Sequence, residues 1–153
     1  MPTIQEKIYQ DLKEALKSKK EPELSTLRLI KSEIQYELTK TGAQEILDAN
    51  LIQLLKKNIS QRKESAFEYK KASRLDLAEK EEAEAKVILQ YLPAEISMEE
   101  IEASIQEAII AVSAKGLSDS GKVMGKVMLK FKGKNIDGSK VSEAVKRVLQ
   151  ALG

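Results

Sequence analysis

The chain has 153 residues, 42% of them hydrophobic and 33% charged, which gives one compact domain or two small ones and excludes a disordered chain. It holds no cysteine and no histidine, which removes disulfides, thiolate nucleophiles, Cys/His metal sites and every histidine-based acid–base mechanism. No apolar run approaches the ~20 residues that span a bilayer, and the start MPTIQEKIYQ has no signal-peptide pattern, so a cytoplasmic protein with no membrane partner is the expectation.

The predicted elements are all helical. Thr3 with Glu6 forms a capping-box pattern and opens a first helix with Ile4, Ile8, Leu12 and Leu16 on one stripe. Pro22 suits the first turn of a second helix, whose inner face is Leu27, Ile30, Ile34 and Leu38, and Gly42 is its expected stop. A long third helix starts from Asp48 as N-cap, with Leu51, Leu55, Ile59, Arg62, Ala66 and Tyr69 on one side. Ser73 with Asp76 is a further capping pattern, and a fourth helix runs to the residues before Pro93. Ser97 with Glu100 opens a fifth helix, carrying Ile101, Ile105, Ile109 and Val112 and ending at Lys115-Gly116. Asp119 caps a sixth helix that reaches about Phe131. Asp137 or Ser139 caps a seventh, with Val141, Val145, Val148 and Leu152 inward. The fold class is therefore all-α, with a four-helix N-terminal domain over 1–93 and a three-helix tail domain over 94–153.

Charge is distributed unevenly along this order. The net charge is +2 overall, but residues 1–93 carry +1, residues 94–114 carry −5 and residues 115–153 carry +6. A basic last quarter points to a polyanion as partner. Within it lies DSGKVMGKVMLKFKGKNIDGSKV, Asp119 to Val141. It is no Walker loop: Gly121 to Lys126 is one residue short, Val127 stands where a Mg²⁺-binding hydroxyl is needed, and no strand precedes it. On a helical wheel Val123, Val127 and Phe131 form a core stripe with Met124 and Met128 beside it. Gly121 and Gly125 stack on one flank. Each glycine weakens a helix by about 0.8–1 kcal/mol relative to alanine, so the pair predicts something approaching the backbone closely, most simply another helix. Lys122, Lys126 and Lys130 line a separate face, followed by Lys132, Lys134 and Lys140. Such a ridge matches a row of phosphates. Phe131 is the one aromatic of the stretch, which argues against a stacking platform for single strands and for structured RNA.

Arg62 falls in the apolar register of the third helix, and a buried guanidinium needs carboxylates. Glu64, Asp76, Glu81 and Glu84 are the candidates, and an ion-pair network that includes Arg62, Glu64, Arg74 and Asp76 is expected to be structural rather than catalytic.

The residues Gln61-Arg62-Lys63-Glu64-Ser65, Tyr69, Ala72, Arg74-Leu75-Asp76-Leu77-Ala78, Glu81, Glu84 and Tyr91-Leu92-Pro93 resemble the YqeY family. So do Gly121-Lys122-Val123-Met124-Gly125, Lys132-Gly133-Lys134 and Asp137-Gly138. The resemblance covers nearly the whole chain. It extends to the helical and tail domains of GatB, the B subunit of the glutamine-dependent tRNA amidotransferase, which are associated with gripping tRNA. It implies a tRNA-binding protein without cofactor or metal, with Lys122, Lys126, Lys130, Lys132, Lys134 and Lys140 on the RNA backbone and Gly121 and Gly125 permitting close approach. It also implies a carbon–nitrogen ligase setting with glutamine as amide donor. The chain itself lacks a cysteine nucleophile, an amidase Gly-Gly-Ser-Ser pattern and an ATP loop, so no catalytic residue is assigned and catalysis by the chain alone is not expected. The alternative is an adaptor that docks on an amidotransferase-like protein through the valine and methionine face of the tail. The chain departs from the family pattern in three places. Ser120 replaces a methionine, Ser73 replaces the glycine usual before Arg74, and Asn135-Ile136 lengthens the turn before Asp137 by one residue.

Overall fold

The computed structural model describes residues 1–152. Among them are seven α-helices and no strand: α1 Ile4–Ser18, α2 Glu23–Thr41, α3 Asp48–Lys71, α4 Leu75–Leu89, α5 Met98–Val112, α6 Ser120–Lys130 and α7 Gly138–Leu152. A 3₁₀ turn, Leu117–Asp119, precedes α6. The chain is all-α, and no described helix is long and apolar enough to cross a membrane. Two compact units are present, Met1–Leu92 with α1 to α4, and a second that begins at Pro93 with α5 to α7.

In the first unit, Ile8, Leu12, Leu27, Ile30, Ile34, Leu51, Leu55, Ile59, Val87 and Ile88 close one core. α1 starts as its sequence dictates: the Thr3 hydroxyl accepts from the Glu6 N–H at 3.1 Å, and Glu6 Oε2 accepts from the Thr3 N–H at 3.3 Å. Ala15 is buried where Leu16 was expected, because the helical stripe drifts by one position along the helix. Pro22 is the N-cap of α2, just before its first turn, and Gly42 ends α2 in the left-handed region at φ 73°. Asp48 is not an N-cap. Leu47 holds that position, and the Asp48 carboxylate instead accepts from the Ile4 N–H at 3.1 Å, satisfying an open donor at the start of α1.

The capping pattern at Ser73 and Asp76 also fails. Arg74 is the N-cap of α4, with no side-chain cap, and Ser73 sits at φ 60° in the α3–α4 turn. That is where the family pattern places glycine, and glycine has no Cβ to strain there. α4 ends at Leu89, and the Tyr91 hydroxyl donates to Asp11 Oδ2 at 2.5 Å. Burial, reinforced by that carboxylate, pushes the Tyr91 phenol well above its usual range.

The second unit has its own core of Ile101, Ile105, Ala108, Val123, Val127, Phe131, Ile136, Val141, Ala144, Val145 and Leu149. The Ser97 hydroxyl accepts from the Glu100 N–H at 3.2 Å and caps α5. α5 stops at Val112 through Ser113 at φ 55°, three residues before the expected Gly116. Asp119 precedes α6 but accepts from the Lys115 N–H at 2.8 Å, which folds the turn back instead of capping the helix. Asp137 does cap α7, accepting from the Ser139 N–H at 2.9 Å. Val141 and Val145 are buried as expected, but in the last turns of α7 the buried position is Leu149, with Val148 half-buried and Leu152 exposed.

The longer turn before Asp137 is part of the packing. Gly133 takes φ 83°, and the chain then buries Asn135 and Ile136. Asn135 Nδ2 donates to the Pro93 carbonyl at 2.8 Å, and the Asn135 carbonyl accepts from the Ile96 N–H at 2.9 Å. The turn thereby pins the strap from Pro93 to Ile96 onto the unit, and Ile136 joins the core.

Candidate functional site

α6 separates its side chains by face as its sequence requires. Val123 and Val127 are fully buried and Met124 and Met128 pack against the same core. Lys122, Lys126 and Lys130 are exposed, as are Lys132, Lys134 and Lys140. Gly121 to Lys126 lies wholly inside this helix, so no phosphate loop forms there.

The six lysines are not equivalent. Lys130 Nζ lies 3.0 Å from Glu107 Oε2 on α5, and Lys140 Nζ lies 3.0 Å from Glu95 Oε1. The hydrogen bond and charge of Glu95 raise the Lys140 pKa and hold it as a cation. Arg147 likewise pairs with Glu102 at 2.8 Å. Lys122, Lys126, Lys132 and Lys134 make no ion pair among the described residues. Three carboxylates of the acidic stretch 94–114 are thus spent on three cations of the basic tail. A segment-by-segment charge count misses this, because it cannot see that α5 packs against α6 and α7.

Gly121 and Gly125 correct the sequence reading. Both are exposed, and a Cβ added at either position meets no heavy atom within 4 Å. Among the described residues no side chain packs on either glycine, although Gly121 lines an open groove with Ser142, Val145 and Lys146 of α7. The flank is open to solvent beside Lys122 and Lys126.

The expected ion-pair network divides in two. Arg62 is buried on α3, and its Nη1 donates to Glu84 Oε2 and, at 3.5 Å, to Glu81 Oε2, both on α4. Its Nε and Nη2 are buried without a partner. Glu64 is exposed and forms no hydrogen bond or ion pair among the described residues, so it does not belong to this cluster. Its register explains why: two positions beyond Arg62, it points about 200° away around the helix. Arg74 and Asp76 form a separate exposed pair, with Nε to Oδ1 at 3.3 Å and Nη2 to Oδ2 at 3.3 Å. The Arg74 hydrogen bonds hold the Asp76 carboxyl below its usual range. Glu81 and Glu84 were among the named candidates, and their spacing of three on one helix face is the signal that favours them.

These features define a class: an all-helical protein of two units, the second presenting unpaired lysines and an open glycine flank. A family model described as "Yqey-like protein" matches residues 5–149. The chain belongs to the YqeY family. It is similar to "Altered inheritance of mitochondria protein 41, mitochondrial" of Pyrenophora tritici-repentis, 34% identical over 148 residues that cover 95% of this chain and 80% of that protein. It is also similar to "Uncharacterized protein C22F3.15" of Schizosaccharomyces pombe, 39% identical over 93 residues that cover 61% of this chain and 75% of that one.

Proposed function

We propose that this protein binds tRNA, or another RNA of like compactness, through the α6 face and the turn after it. The observation that carries the reading is the set of four unpaired lysines, Lys122, Lys126, Lys132 and Lys134, beside an exposed glycine flank. A row of mobile ammonium groups suits a phosphate backbone, and bare backbone at Gly121 and Gly125 lets that backbone come close. Lys130 and Lys140 serve the same surface but must first part from Glu107 and Glu95. A carbon–nitrogen ligase context with glutamine as amide donor, and an amidotransferase-like partner, follow from the family resemblance. The chain's role there is to hold the RNA. The reading needs a compartment that contains tRNA. The cytoplasm meets that need, and so does the mitochondrion, where the name of one relative places that relative.

The adaptor reading keeps only the methionine part of its surface: Val123 and Val127 lie inside the tail's own core, and Met124 and Met128 are half-buried.

Titration of bulk tRNA at several salt concentrations tests the proposal. Four lysine–phosphate contacts give log affinity falling with log salt with a slope of about −3. Lys126→Glu with Lys130→Glu should abolish binding while leaving the helical circular dichroism intact. A slope near zero, or equal affinity for single-stranded RNA of the same length, sinks the reading.

A further inference from the structure

α5 and α6 leave a groove of about 210 Å³ between them, whose lining includes Ser104, Glu107, Ala108, Ala111, Lys126 and Lys130. Ala108 and Ala111 are small, which keeps the space open. Three features of this groove bear on what it can bind. Ser104 is 3% exposed, and its hydroxyl has no hydrogen-bond partner. A buried hydroxyl left unpaired is costly, and native structures nearly always give it a partner. Lys126 makes no ion pair among the described residues. Lys130, one turn further on, holds the Glu107 carboxylate at 3.0 Å.

A carboxylate on a lysine occupies the place an oxyanion would take, and lysine binds phosphate as a point charge. We infer that this groove is a phosphate subsite, bound by Lys126 and Lys130 with the Ser104 hydroxyl as a further donor, and that Glu107 competes for it from within the chain. The ligand chemistry is a phosphate oxyanion. As a source, a diester of an RNA backbone rests on the function proposed above; a free phosphate does not. Glu107 then sets a threshold: a weakly held polyanion leaves the Lys130–Glu107 pair closed, and one anchored by Lys122 and Lys132 displaces it.

The test uses the full chain and three variants, Glu107→Gln, Ser104→Ala and Glu102→Gln. Glu102→Gln makes the same charge change but frees Arg147, which does not line the groove. Inorganic phosphate is titrated while the amide signals of Ala108, Ala111 and Lys126 are followed by NMR. Saturable shifts are expected, with half-saturation lowered about threefold or more in Glu107→Gln, raised in Ser104→Ala and unchanged in Glu102→Gln. The tRNA salt slope should steepen by about 0.7–0.9 in Glu107→Gln, one added contact. Ser104→Ala removes only an unpartnered hydroxyl, so its thermal midpoint should hold or rise, which separates lost binding from lost folding. Absent shifts, or equal effects of Glu107→Gln and Glu102→Gln, overturn the subsite even if tRNA binds. Groove shifts with phosphate but no tRNA binding leave the subsite standing and remove the RNA reading.

Discussion

Arg62 carries the most consequential side chain in the first unit. It ties α3 to two carboxylates on α4 from a position with 9% side-chain exposure. Losing the guanidinium would leave Glu81 and Glu84 facing each other, half-buried and unpaired. Arg62→Ala should therefore cost about 3 kcal/mol in chemical denaturation, far more than Arg74→Ala, whose exposed pair with Asp76 contributes little. Ser73 carries the opposite sign. An L-residue in the left-handed region is strained by about 1–2 kcal/mol. Glycine relieves that strain and returns about 0.5–1 kcal/mol in unfolded-chain entropy. Ser73→Gly should raise stability by about 0.5–1 kcal/mol, read as a higher denaturation midpoint with an unchanged slope.

The informative element is α6. Its core stripe and lysine face follow from a repeat of 3.6 residues, and both are legible in the sequence. Its glycine flank is not, because a helical wheel gives direction but not what stands there. The structure leaves that flank open, and a simple consequence follows. Gly125→Ala should stabilise the second unit by about 0.8–1 kcal/mol and Gly121→Ala, in the first turn of α6, by less, since no neighbour resists the added methyl. If RNA uses the bare backbone, the same variants lose tRNA affinity as they gain stability. Thermal melts and tRNA titration on one preparation read both. Stability gained with affinity unchanged would remove the glycines from the interface.

For the whole molecule, the cores of the two units share no residue. Ile105 is fully buried in the second. Ile105→Ala should cost about 2–5 kcal/mol there and shift that unit's transition alone. Calorimetry would show two transitions separating, with the first unit's midpoint in place. A single transition that moves as one would show the units unfold together.

The sequence by itself determined the helices, their apolar stripes, the absence of thiol and imidazole chemistry, and the family. Each is local or additive: periodicity, composition and motif spacing are properties of the chain read in one dimension. Tertiary structure decided which polar groups meet. Asp48 was legible as a capping residue, yet it serves α1. Glu107, Glu95 and Glu102 read as a separate acidic stretch, yet they hold Lys130, Lys140 and Arg147. Asn135-Ile136 read as one residue too many, yet Asn135 ties the strap from Pro93 to Ile96 onto the second unit and Ile136 joins its core. A side-chain pair forms where packing brings two atoms within about 3 Å, and sequence separation carries almost no information about that distance.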